Sequence, residues 1–279
     1  MSSTDGWSAV CGPEMAAALA VERFCKLSPA LSLSPIDDFI SNTGSILTLG
    51  RDEELRLQPA LGRVLLLGVV SASESYFRNL LARLIDVCPL TRAEASSQVL
   101  SLGSVYYYGL TQLGFGLMEG VSFAETAEVR SATKKLTGVD LTGSASLEVA
   151  LSQYERICQL RHAAAHAHGK LGARNVQRLG LVHSPGRGSM LLSIDLPALH
   201  EAAQVCMNTV RAYNLFMFRK LVERWVGNGL LAGVWRSDKL RYAPLFELFH
   251  SKSDGQKPRC AYHSYLILRK NVLGSATRP

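Results

Sequence analysis

The 279-residue sequence lacks most of the marks that place a chain at once. Its six cysteines, Cys11, Cys25, Cys88, Cys158, Cys206 and Cys260, form no CxxC or CxC pair. That scatter suits neither a zinc site nor a compact disulfide framework, and reduced thiols in a cytoplasmic protein are the expectation. Met1 to Trp7 has neither the basic residues nor the apolar run of a signal peptide. The most apolar block, Val64 to Val70, is too short to span a bilayer and lies between Arg63 and Ser71. A soluble chain with no membrane partner is therefore expected. There is no internal repeat at solenoid spacing. Aromatic residues are modest at 8%, and charged residues, at 19%, fall below the usual quarter of a soluble chain.

What is present is apolar and basic. Apolar residues make up 47% of the chain, enough for a real core in one large domain or two small ones. The net charge of +7 favours a polyanionic partner such as nucleic acid, although an acidic membrane surface fits charge alone almost as well.

Hydrophobic spacing reads as mainly α. Residues 1–58 look like a peripheral segment, with a short helix over Pro13 to Lys26 and a turn at Ser34–Asp38 leading into another short element. From Pro59 to Val87 the apolar residues Val64, Leu67, Val70, Phe77, Leu80, Leu81 and Leu84 recur near helical period. Glu74 and Arg78 are spaced to pair on that helix. Thr91–Glu94 and Ser122–Glu125 read as capping boxes, Gly138 as a C-cap, and Val105–Tyr108 with its glycines as a broken helical stretch. A further helix is expected from about Ser146 to His168, ended by Gly169 and Gly172, and another from Pro197 to Val226 behind Asp195. Between them, Leu179–Val182 and Met190–Ile194 flank Ser184-Pro185-Gly186-Arg187-Gly188 and read as a small β-hairpin insertion. Residues 59–226 thus form the expected helical bundle. Residues 227–279 form a basic, aromatic extension that could pack, bind RNA or stay loose.

Three of the seven histidines, His162, His166 and His168, fall beside Arg161 near a helix end. At about 100° per residue, His162 and His166 share a face, whereas Arg161 and His166 lie about 140° apart. These are groups suited to metal-independent RNA cleavage. Histidine can take the proton of a ribose 2′-OH or protonate the departing 5′-oxygen, and arginine can hold two phosphate oxygens while staying charged. Two other readings stand beside this one. Histidines four apart on a helix could bind zinc, but the Glu of HExxH is missing. Arg and His at a helix C-terminus are also favoured by the helix dipole alone.

The segment Leu160-Arg161-His162-Ala163-Ala164-Ala165-His166-Ala167-His168-Gly169 resembles the hallmark of the HEPN superfamily, an Arg commonly followed by a polar residue, then His after four to six residues. Some members carry Tyr two positions after that His; this chain has His168 there. Val69–Phe77 is similar to the opening helix of the RiboL-PSP-like branch, which often has an acidic-x-aromatic pattern. The resemblance covers about 59–226. It implies a HEPN-like helical bundle that forms a homodimer with a composite site. The implied activity is cofactor-free and metal-independent endoribonuclease action on an RNA substrate, in a toxin–antitoxin or antiphage defence setting with an antitoxin or other defence partner protein. Arg161, His166 and His162 are the candidate catalytic residues. His168, Lys170 and Glu74 are candidates for substrate positioning, Glu74 by orienting the arginine. Some relatives only bind RNA or nucleotide, so a non-catalytic module remains open, as does a helical adaptor that engages a protein through residues 235–270.

Overall fold

Prolines and short polar side chains open half of the α-helices among the described residues. A computed structural model of the chain describes residues 12, 16–27, 33–182, 188–255 and 260–270, and the chain divides into two units, Met1–Ser32 and Leu33–Pro279. In the first unit, the helix expected over Pro13 to Lys26 is reduced to one 3-10 turn, Val21–Phe24, and residues 13–15 lie outside the described residues. A stretch this short gains too little from propensity to offset helix nucleation.

The second unit is mainly α. Its helices are α1 (Pro35–Leu47), α2 (Asp52–Leu57), α3 (Pro59–Val87), α4 (Pro89–Ala95), α5 (Leu102–Tyr108), α6 (Leu113–Leu117), α7 (Thr126–Thr137), α8 (Ala145–His166), α9 (Ala173–Leu179), α10 (Leu196–Gly227), α11 (Trp235–Phe249) and α12 (Ala261–Leu268). Ser34 caps α1 by accepting from the Asp37 amide at 3.3 Å, Ser144 caps α8, and the Asp195 carboxylate accepts from Ala198 N–H at 2.9 Å to open α10. Pro59 starts α3, and Pro89 forces Cys88 into an extended conformation that ends it. Gly138, at φ 65°, closes α7 as expected.

Helix α3 is long and apolar enough to cross a membrane, yet it runs through the bundle with α1, α8 and α10 packed on it. Leu66, Val69, Val70, Phe77, Leu80, Leu81 and Leu84 are fully buried there, each worth roughly 1.5–3 kcal/mol if a side chain of that size is taken out of water. Phe77 sits among Phe123, Tyr154 and Tyr213 with ring centroids 5.0–6.0 Å apart. The expected stripe is shifted in the first half of the helix: Val64 is 60% exposed and Leu65 and Leu66 point inward. Val64 to Val70 is apolar at every position except Gly68, so its periodicity marks no one face.

Gly62, near the start of α3, lies directly under the Ile194 backbone, and a Cβ built there would stand 2.8 Å from Ile194 Cβ. Gly62→Ala is therefore expected to destabilise the fold by about 1–3 kcal/mol, against the small gain an alanine normally gives a helix. A chemical-denaturation midpoint at or above that of the parent would refute the close packing.

Four local expectations are corrected. Thr91 does not open a helix: α4 begins two residues earlier at Pro89, and the buried Thr91 hydroxyl has no partner. Ser122 does not cap α7; that role falls to Glu155 of α8, whose Oε2 accepts from Thr126 N–H at 3.2 Å and from Thr126 Oγ1 at 2.8 Å. Arg78 does not pair with Glu74 but donates to the Met118 and Val121 carbonyls, with its guanidinium 5.5 Å from the Phe123 ring centroid. Finally, no hairpin is formed among the described residues. Leu179 ends α9, residues 183–187 lie outside the described residues, and Leu191 instead makes an isolated bridge with Lys170. Leu179 is used to cover the end of α8, a demand no local pattern announces.

The described part of the C-terminal segment packs. Tyr242, Leu245, Phe246, Phe249 and Tyr265 join a single core that also holds Ile36 and Phe39 of α1, while Arg236, Lys239, Arg241, Arg269 and Lys270 remain exposed. Two buried aspartates tie this segment down. Asp37 accepts from Ser251 Oγ at 2.7 Å and from the Lys252 and Ser253 amides. Asp238 accepts from the Ala232 and Gly233 amides, Ser237 Oγ and Tyr265 Oη.

Candidate functional site at the end of helix α8

The motif occupies the last turns of α8, where the helix leaves the core. Upstream, Leu151, Tyr154, Ile157 and Cys158 are buried. Downstream, Ala163 packs with Leu171 and Leu179 in a small separate apolar cluster that Val176 and Met190 cover. This cluster pins α9 beneath the helix end and leaves His162 and His166 exposed on the outside. The two rings lie 4.7 Å apart between centroids, with planes at 52°.

Arg161 points elsewhere. Its Nη2 reaches Glu74 Oε1 on α3 at 3.5 Å, with 30% of the arginine side chain and 16% of the glutamate side chain exposed. Burial pushes the Glu74 carboxyl above its ordinary value, and the neighbouring Arg161 and Arg78 only partly reverse this. A carboxyl raised by folding is most stabilising in its protonated form, so the contribution is present at acid pH and lost as pH rises through the raised value. At neutral pH the charged Glu74 is thus a cost to the fold. Glu74→Gln is expected to leave the melting temperature at pH 7 unchanged or higher while lowering any Arg161-dependent activity roughly 10- to 100-fold. A clear drop in melting temperature would mean that the pair is there for stability.

The helix ends in a left-handed residue that is not glycine. His168 has φ 49° and Gly169 φ 87°, and the Gly169 amide donates to the Ala163 carbonyl at 3.0 Å. The crossing segment 190–192 holds this turn through Leu171 N–H to Met190 O at 2.9 Å and Leu192 N–H to Gly169 O at 2.7 Å. His168 and Lys170 are both exposed beside it. The structure thus gathers Arg161, His162, His166, His168 and Lys170 at one helix end and brings Glu74 to Arg161. It also adds Arg63, which the sequence reading passed over: a Cβ at Gly169 would come within 2.7 Å of Arg63 Cδ. A signal was available, since Arg63 and Glu74 are eleven residues apart on α3 and so only about 20° apart around it.

Behind the motif is a polar relay. Asn175 of α9 donates to Gln159 Oε1 at 3.2 Å, Gln159 donates to Glu155 Oε1 at 2.9 Å, and Arg178 lies 3.8 Å from the same oxygen. Glu155 is lifted by burial but lowered overall, because its hydrogen bonds from Thr126 and Gln159 outweigh that burial. This chain of contacts fixes α8 against α7 and α9 one turn before Arg161.

Two grooves among the described residues lie away from this end. The larger, of about 570 Å³, is lined by Ile36, Arg211, Asn214, Phe218, Phe249 and His250 among others. A second, of about 370 Å³, is lined by residues including Ser144, Phe216 and Lys220. No known protein family, no curated protein and no solved structure matches the chain.

Proposed function

We propose that the chain is a metal-independent endoribonuclease that cuts RNA by attack of the ribose 2′-OH on the neighbouring phosphodiester. The observation that carries this reading is the exposed His162–His166 pair beside an arginine whose direction is held by a half-buried carboxylate. One imidazole takes the 2′-OH proton, the other protonates the leaving 5′-oxygen, and the guanidinium neutralises the charge that builds on phosphate. Lys170 and Arg63 supply a cationic rim for the RNA backbone, and His168 adds a hydrogen-bonding group beside them. Arg161 faces α3 while the histidines face solvent, so a homodimer in which Arg161 of one chain meets the histidines of the other makes the more complete site. The net charge of +7 fits the substrate. The role we favour is that of a cytoplasmic toxin or antiphage effector restrained by a partner protein.

The test is incubation of the purified chain with single-stranded RNA in EDTA. Cleavage leaving 2′,3′-cyclic phosphate and 5′-hydroxyl ends is expected, with DNA untouched. Activity that disappears with the chelator, or that survives a 2′-deoxy substitution at the cut position, rejects the mechanism. One observation favours the non-catalytic alternative: within a single chain Arg161 already has Glu74 as its counter-ion. RNA binding without turnover in the same assay would select that alternative.

A further inference from the structure

His162 and His166 stand one turn apart on the solvent face of a helix that is anchored on both sides of them. Among the described residues, no hydrogen bond or ion pair engages either ring. Two imidazoles at i and i+4 can close on one ion, because the helix holds their nitrogens at the bite needed for metal–nitrogen bonds of about 2.0–2.1 Å. A centroid separation of 4.7 Å is within that reach. We infer that this pair is a reversible chelating site for a borderline divalent transition-metal cation, Zn²⁺ or Cu²⁺, with two nitrogens from the chain and water in the remaining positions.

The chemistry of the donor set defines the site further. No group of three or more His, Cys, Asp or Glu is assembled among the described residues, so the site is open and shallow rather than structural. Imidazole nitrogen prefers Cu²⁺, Zn²⁺ and Ni²⁺ to the hard, oxygen-seeking Mg²⁺ and Ca²⁺. Binding uses the ring-nitrogen lone pairs of both imidazoles. The carboxylate that would make a hydrolytic centre of such a pair is missing from the motif, where Ala163 to Ala165 fill the interval. The ion therefore occupies the imidazoles without supplying a reaction. If the ribonuclease reading holds, an ion on those lone pairs removes both proton carriers, so metal occupancy and RNA cleavage exclude each other.

The full chain is titrated with zinc chloride by calorimetry slightly above neutral pH, in a Cys260→Ser background. That background removes a competing thiol–imidazole pair, in which Cys260 Sγ lies 3.3 Å from His263 Nδ1. One saturable site per chain is expected, absent with magnesium chloride and weakened about 100-fold in His162→Ala and in His166→Ala, as loss of a chelate requires. Both imidazole signals in a histidine-selective NMR spectrum should move in the same step. Equal zinc affinity in parent and both variants, or movement of one ring alone, overturns the chelate. The cleavage arm is separate. Zinc should stop RNA turnover, and EDTA should restore it. Absence of any turnover in EDTA defeats the ribonuclease reading while the titration still decides the metal site.

Discussion

RNA cleavage should fall by about 10²- to 10⁴-fold in His166→Ala, the range expected when a proton-transferring group is lost. Arg161→Ala should lose about 10²- to 10³-fold through weaker stabilisation of the phosphate. Both variants should fold, since His166 is exposed and Arg161 is partly so. Arg161→Lys is not expected to restore activity, because a point charge cannot hold two phosphate oxygens in one plane. The double variant should be little worse than either single one if the two groups act as a unit. Mixing the two single variants after unfolding and refolding tests the dimer directly. A composite site predicts recovery of about a quarter of parental activity, because half of the dimers are mixed and each holds one intact site. No recovery would confine the site to a single chain, and unchanged cleavage in both single variants would remove the motif from the chemistry altogether.

Asp238→Ala should be the most damaging change to stability among those considered. The carboxylate is 2% exposed and accepts from the Ala232 and Gly233 amides at 3.0 and 2.9 Å, from Ser237 Oγ at 3.1 Å and from Tyr265 Oη at 2.6 Å. Truncation strands these donors, at about 3–4 kcal/mol in total. That corresponds to a fall in melting temperature of roughly 6–16 °C for a chain of this size. Burial alone would raise the carboxyl, but the hydrogen bonds from Tyr265, Ala232, Gly233 and Ser237 outweigh it and hold the group below its ordinary 3.8. A lowered carboxyl stabilises the fold above the unfolded value and loses that contribution as pH falls through the folded one. The parent should therefore lose stability below about pH 3.8, and Asp238→Asn should flatten that part of the profile. A melting temperature in Asp238→Ala close to the parent at neutral pH would mean that this buried network contributes nothing net.

Much of the fold was legible where one residue type has one physical meaning. Pro59 and Pro89 bracket α3, Asp195 opens α10 and Gly138 closes α7, because fixed φ, a side-chain acceptor and positive φ have few other uses. What could not be read depends on residues far apart in sequence. The cap of α7 comes from Glu155, 29 residues on, and the partners of Arg78 are carbonyls 40 and 43 residues away. Met190 to Ile194 looked like a strand because it is apolar, yet it serves as a strap over the end of α8. The aromatics of the C-terminal segment were ambiguous because Tyr and Trp suit both cores and surfaces; Trp235 packs against Tyr262 and Tyr265 at 5.4 and 5.2 Å. At the candidate site, helical angles separated Arg161 from His166 and placed His162 with His166. Gly169 and Gly172 were expected to end the helix, and the first left-handed residue there is His168.

The Asp37 tie has a consequence for how the protein is made. Its partners Ser251, Lys252 and Ser253 lie 214 to 216 residues downstream. At ribosomal speeds of about 5–20 residues per second, α1 is synthesised roughly 10–40 s before the loop that completes its setting. During that interval Ile36 and Phe39 can meet α3 but not α11, and the Asp37 carboxylate stays in water. Helix α8 is likewise made before α10, the helix that packs along it. A chain released before α10 is made would carry Arg161, His162 and His166 on a helix that lacks this packing partner, so the site gains its rigid support only once α10 has been synthesised.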